Sequence, residues 1–213
     1  MREIFIFILF ILTFPLLSYT EENGTIKLPK PKIKGGRPLM EVLKDRKTTR
    51  SFSEKELPLE ELSNLLWAAF GINRPNEGKR TAPSAMNKQE IDIYVALKMG
   101  LYLYDPNKNL LKKIHNKDIR RATGEQDFVG IAPINLIFVA DYSRMGEISE
   151  ENKNFFSAID AGFIAQNVYL YCASNKLGTV VRAWIDRDNL SKLMELKEDQ
   201  KIIIAQTVGY PAN

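Results

Sequence analysis

The stretch Ile91–Asp105, IDIYVALKMGLYLYD, decides the fold. Its first half alternates as a strand does, Met99-Gly100 can turn, and LYLYD answers as a partner, so the segment reads as a β-hairpin. Working outward, APINLIFVAD (132–141) reads as a further, more buried strand, and KIIIAQTVGYP (201–211) as the last one. Upstream, LPLEELSNLLWAAFG (57–71) has Pro58 at its start, Leu62, Leu65, Leu66 and Ala69 on one face, and Gly71 as a stop, the pattern of a helix. Residues 152–178, NKNFFSAIDAGFIAQNVYLYCASNKLG, carry small and apolar side chains nearly all round. Such a helix is buried on more than one side, deep in the domain or at a subunit interface, and Gly178 would be its left-handed cap. A shorter helix is expected over Asp188–Leu196, and residues 72–90 read as loop. Helices interspersed with hairpin-linked strands predict an α+β fold, a mainly antiparallel central sheet packed between helices.

Composition narrows the function. The 213 residues, 45% hydrophobic and 26% charged, suit one globular domain with a sizeable core. The net charge of +4 is spread among acidic residues rather than gathered in a stripe, which argues against a nucleic-acid partner. Cys172 is the only cysteine and sits in an apolar run, so no intrachain disulfide and no cysteine cluster can form. His115, the only histidine, lies in the polar stretch KKIHNKD and reads as a solvated side chain; a histidine-based metal site or triad has nothing to build from. No metal is expected.

The chain begins MREIFIFILFILTFPLLSYT, with a charged start and an apolar run from Ile4 to Leu17 broken by Thr13 and Pro15. The run is short for a membrane span and suits a signal peptide (1–20) cut near Thr20, which implies export to the periplasm or cell envelope with no membrane span after cleavage; an uncleaved anchor is the alternative. Residues 21–38, EENGTIKLPKPKIKGGRP, have no helical or strand period and read as an extended arm, and the folded domain is expected over 39–213.

Two stretches carry candidate chemistry. DRKTTRSF (45–52) crowds Arg46, Lys47, Thr48 and Arg50 together; Arg46 and Arg50 share a face if the segment is helical. That donor set suits a phosphate monoester, and a solvated basic turn is the plainer alternative. TAPSAMNKQE (81–90) places Ser84, Asn87 and Gln89 in a loop able to meet amide edges and sugar hydroxyls, or simply water. Neither GEQDFVG nor KLGTVV completes a dinucleotide or P-loop pattern.

Taken in order, RKTTRSF, TAPSAMNKQEIDIYV, GLYLYD, APINLIFVAD, DAGFIAQNVYLYCASNKLGTVVRAW and AQTVGYP resemble the successive signatures of the flavin-dependent nitroreductase family, over about Leu39–Pro211. PSA followed by EIDIYV and GLYLYD resembles the SagB/ThcOx-type dehydrogenase branch. The resemblance implies an FMN enzyme working as a homodimer, with the flavin at the subunit interface and the long helix buried there. It implies that Arg46, Lys47, Thr48 and Arg50 hold the FMN phosphate and reach the ring edge, and that Ser84, Asn87 and Gln89 face the ribityl chain or flavin. Gly178, Val181 and Arg182 would belong to the segment whose backbone passes over the isoalloxazine, and Phe128 would shape the substrate side. Many family members run past GYP into a basic tail that helps hold the phosphate; here Pro211-Ala212-Asn213 follow, which puts more weight on Arg46 and Arg50 or on another basic residue not assigned from the sequence. The implied reaction moves a hydride between flavin N5 and a small organic substrate in a ping-pong cycle, with no catalytic acid or base assigned. NAD(P)H is the usual donor, but export would separate the enzyme from any ordinary pool of it, which favours a dehydrogenase passing electrons to oxygen or a quinone. A flavin-binding envelope protein without turnover and a non-exported NAD(P)H nitroreductase are the alternatives.

Overall fold

The computed structural model describes residues 19–212; nearly all of the expected signal peptide lies outside them. Seven strands form one sheet in the order β1 (Thr25–Lys27), β6 (Leu110–His115), β5 (Gly100–Asp105), β4 (Ile91–Leu97), β7 (Ile134–Asp141), β9 (Gln200–Gly209) and β8 (Gly178–Arg182). All six neighbouring pairs are antiparallel. A two-stranded ribbon, β2 (Ile72–Arg74) with β3 (Lys79–Arg80), stands apart. The helices are α1 (Leu39–Asp45), α2 (Leu59–Phe70), α3 (Glu150–Ser174) and α4 (Arg187–Leu193).

The two-residue period of the strands builds the layers. On β4, Ile91, Ile93, Val95 and Leu97 pack with α2 and α3, as do Ile134, Leu136, Phe138 and Ala140 of β7. The intervening Tyr94, Ala96, Ile137 and Val139 pack on the other face with Leu190 and Met194 beside α4. The sheet is therefore covered on both faces, which is why β7 is apolar almost throughout rather than alternating. The β4–β5 hairpin closes at Leu97↔Gly100. Gly100, at φ +144°, is needed there because a Cβ would stand 2.3 Å from the His115 carbonyl oxygen.

Four expectations change. Residues 72–90 are not loop throughout, since β2 and β3 pair there. The arm is not free of strand: Thr25–Lys27 pairs with Leu110–Lys112 at the sheet edge, the aperiodic tripeptide being held by a partner far along the chain. His115 belongs to β6, and its Nε2 lies 2.9 Å from the Leu193 carbonyl oxygen, so it is half-buried rather than solvated. The long helix ends at Ser174, with Asn175 as cap and Lys176 in the left-handed region at φ +57°, so Gly178 is not the cap. Gly178 instead opens β8, where a Cβ would stand 2.8 Å from Thr49 Cγ2. The core side of α3 holds Ser157, Asp160, Ala161, Ile164, Ala165, Val168 and Cys172, while Phe155, Ile159 and Phe163, four residues apart, are 60%, 38% and 45% exposed. Within one chain the helix buries a single side.

Candidate functional site

The first polar cluster begins where α1 stops. Arg46, at φ −56° and ψ 119°, leaves the helix, so the basic segment is extended and Arg46 and Arg50 do not share a helical face. The Arg46 guanidinium lies 5.3 Å over the Tyr169 ring of α3. Thr48 Oγ1 is 3.2 Å from the Tyr169 hydroxyl, which also accepts from the Val181 amide of β8 at 3.1 Å. Tyr169 donating to Thr48 satisfies both contacts and leaves the Thr48 hydrogen free for a ligand. The Thr49 amide donates to the Thr179 carbonyl at 3.0 Å. Tyr169 and Thr49 thus fasten the basic segment to β8, and the close approach is what excludes a side chain at Gly178.

A cavity of about 580 Å³ opens beside this junction, lined by Arg37, Lys44, Asp45, Arg46, Lys47, Thr49, Tyr169, Lys176, Thr179 and Pro211 among others. Five cations there meet one carboxylate, and Asp45 is already paired with Arg37 at 2.5 Å. Positive charge left without protein anions, with hydroxyls beside it, is the donor chemistry a phosphate monoester needs. Arg50 is exposed and does not line the cavity.

Arg182 lies elsewhere. It is 4% exposed, and its guanidinium donates to Thr207 Oγ1, the Thr123 carbonyl, Thr123 Oγ1 and Asn135 Oδ1. Burial without a carboxylate partner pulls its pKa down to about 10. The side chain ties β8, β9 and β7 together. Phe128 packs against Phe52, ring centres 5.6 Å apart, beside Val180.

The second cluster is the loop before β4. Met86, Asn87 and Gln89 all have φ near +50°, an arrangement that holds only where its surroundings over-determine it. The Gln89 amide N–H donates to Ser84 Oγ at 2.9 Å, Arg80 Nε donates to Gln89 Oε1 at 2.7 Å, and Gln89 Nε2 donates to the Gly78 carbonyl and Asn87 Oδ1. Gln89 is therefore a brace inside the loop, and the free donors are the Ser84 hydroxyl and the Asn87 amide. The Ala85 amide donates to Asp160 Oδ2 of α3 at 2.8 Å.

Asp160 and Tyr169, the α3 contacts of the two clusters, are nine residues apart, about 13 Å of rise and two and a half turns. The clusters thus flank opposite sides of the helix. Sequence reasoning missed Tyr169, Lys176, Arg80 and Asp160; only Lys176, a cation just past a helix end, carried a local signal. Among the described residues no cluster of histidine, cysteine and carboxylates could hold a metal, and no helix is long and apolar enough to cross a membrane.

Comparison with known proteins agrees with this architecture. Residues 43–210 match the model of the nitroreductase family. A protein of Methanocaldococcus jannaschii named as a nitroreductase, MJ1384, is 33% identical over 171 residues, 75% of this chain and 85% of the relative. An FMN reductase [NAD(P)H] of Bacillus subtilis is 24% identical over 186 residues, 80% of this chain and 65% of that protein. A crystal structure from Ralstonia eutropha JMP134, also named as a nitroreductase, superposes with a TM-score of 0.86 at 49% identity, covering 89% of this chain and 90% of the other. The microcin synthetase complex McbBCD of E. coli contains the same fold at TM-score 0.71 and 18% identity, over 79% of this chain and 70% of that one. With its antiparallel sheet between helices and its cation-lined cavity beside β8, the chain belongs to the nitroreductase family, a family of flavin oxidoreductases.

Proposed function

We propose that the chain is an FMN-dependent oxidoreductase of the SagB/ThcOx-type branch that works as a homodimer, moving a hydride between flavin N5 and a small organic substrate in a ping-pong cycle. The observation that carries this reading is the cavity in which Arg46, Lys47 and Lys176 meet almost no protein anion, beside the point where Tyr169 fastens Thr48 to β8. The donor set fits a phosphate monoester. Bound FMN would supply hydride acceptance and return. Arg46, Lys47 and Lys176 would hold the phosphate charge, Thr48 would offer its hydroxyl hydrogen, and the cationic surround would favour negative charge on the bound group. Ser84 and Asn87 present donors from the braced loop, and Phe128 limits the substrate side beside Val180.

The homodimer accounts for two features at once. The exposed Phe155–Ile159–Phe163 stripe of α3 is an apolar surface suited to a second copy. Because the two polar clusters flank opposite sides of that helix, one flavin meets both when the second copy supplies the other cluster.

The apolar start of the chain supports export to the periplasm or envelope, and hence electron delivery to oxygen or a quinone. The Bacillus subtilis relative, named for NAD(P)H, supports a pyridine-nucleotide donor instead. One experiment serves both questions: an absorption spectrum of the purified protein, identification of the heat-released chromophore, and anaerobic titration with NADPH. Released FMN upholds the cofactor, and fast bleaching by NADPH selects the reductase. A colourless protein that takes up no added FMN refutes the reading.

A further inference from the structure

Behind the braced loop lies an acid pair that the proposed reaction does not use. Glu90 is wholly buried and Asp160 is 2% exposed. Neither Glu90 carboxylate oxygen has a hydrogen-bond donor, while Asp160 Oδ2 accepts from the Ala85 amide. The nearby cation is committed elsewhere: Arg144 donates to the Gln89 and Glu90 carbonyls and pairs with Asp92 and Asp141. The Ser157 hydroxyl is directed at Met145 Sδ, and from beside Glu90 it offsets only the smaller part of the effect of burial. Two ionised carboxylates in this setting would each present acceptors to the other with no cation between them, which burial does not tolerate.

We propose that Glu90 and Asp160 share one proton, and that this proton holds the Ser84–Gln89 loop in its strained shape, making Glu90 a positioning residue for the cofactor; the second half rests on the assignment of that loop to FMN. Burial first, and the Asp160 charge after it, push the Glu90 carboxyl up to about 6. The bond from Ala85 favours ionised Asp160, so the proton sits on Glu90 and points at Asp160. When Glu90 ionises, repulsion drives Asp160 off the Ala85 amide and the loop loses its tie to α3. The groups facing Glu90 are Asp160 and Ser157 of α3 and Tyr142 and Arg144 after β7. Of these only Asp160 is an acid in contact with it.

The test compares wild type with Glu90→Gln, whose amide donates to Asp160 at every pH, and with Asp160→Asn, whose amide oxygen keeps the Ala85 bond. FMN dissociation constants are measured by flavin fluorescence from pH 5.5 to 8, and the ratio of wild type to Glu90→Gln cancels titration of the FMN phosphate itself. That ratio is expected near one at pH 5.5 and at least fivefold at pH 8, with Asp160→Asn tracking Glu90→Gln. In the flavin-free protein, hydrogen-exchange protection of the Ala85 amide should fall at least fivefold over the same range in wild type but not in the variants, the Ile137 amide of β7 serving as reference within each sample. Equal pH dependence of Ala85 protection in wild type and variants overturns the shared proton. Protection that responds as expected while the dissociation-constant ratio stays flat overturns the link to the cofactor. If no form binds FMN, the flavin assignment fails while Ala85 protection still decides the pair.

Discussion

Replacing Arg182 by alanine removes four hydrogen bonds from the interior, to Thr207 Oγ1 (2.9 Å), the Thr123 carbonyl (2.5 Å), Thr123 Oγ1 (3.2 Å) and Asn135 Oδ1 (3.0 Å). Bonds from a charged donor contribute ~1.5–3 kcal/mol each, about 6–12 in all. Against this stands the cost of burying the charge. Burial lowers the guanidinium to about 10, a drop that corresponds to about 3 kcal/mol at ~1.4 kcal/mol per pH unit. The balance is about 3–9 kcal/mol, and a loss near its lower end, about 4 kcal/mol, is expected because breaking buried charge networks costs ~3–5 kcal/mol. With a urea slope of ~2.5 kcal/mol/M for a chain of this size, the unfolding midpoint should drop by about 1.6 M. Arg182→Lys should recover less than half, since one ammonium cannot reproduce the fork that reaches three residues. Equilibrium urea unfolding followed by far-UV circular dichroism, on flavin-free protein, measures both. An unchanged midpoint combined with loss of bound flavin would refute the reasoning, because Arg182 would then be a cofactor ligand whose internal bonds contribute nothing.

Arg46→Ala should weaken FMN binding by about 1.5–3 kcal/mol, tenfold or more, whereas Arg50→Ala, outside the cavity, should change the dissociation constant less than threefold; fluorescence titration separates them. Glu90 binds its proton more tightly folded than unfolded, so its contribution to stability is complete below pH 4.5 and is lost as pH rises through about 6. The stability difference between wild type and Glu90→Gln should therefore move by about 2 kcal/mol across that window in urea titrations. Gly178→Ala drives a methyl into Thr49 and should cost ~1–3 kcal/mol of stability, read by thermal unfolding. Phe163→Glu should shift sedimentation toward the monomer and weaken flavin retention together.

The hairpin was legible because its alternation is local and its turn carries a glycine where only a glycine fits. β7 was legible as a buried strand because both faces of the sheet are covered. β6 was not, since the adjacent Lys112 and Lys113 break its period, and β1 was not, since three residues carry no period at all and owe their shape to Leu110–Lys112. The basic segment was visible as charge, but its extended course depends on Tyr169, 121 residues from Thr48. Arg182 stood out within LGTVVRAW with its side-chain partners unread: Thr123, Asn135 and Thr207 are scattered in sequence and meet only once three strands and a loop are assembled. The acid pair was hidden for the same reason.

In the sheet β9 lies between β7 and β8, although it is the last strand to be made. As the chain leaves the ribosome, β7 waits with one edge open until residues 200–208 arrive, and β8 has no strand partner before then. No nascent fragment ending ahead of Gln200 can close this sheet, so the barrier is crossed late and through non-local contacts. Incomplete chains should present two unpaired edges to chaperones, and to one another at high concentration. The same order keeps the sheet open and threadable until Gln200–Gly209 has been made.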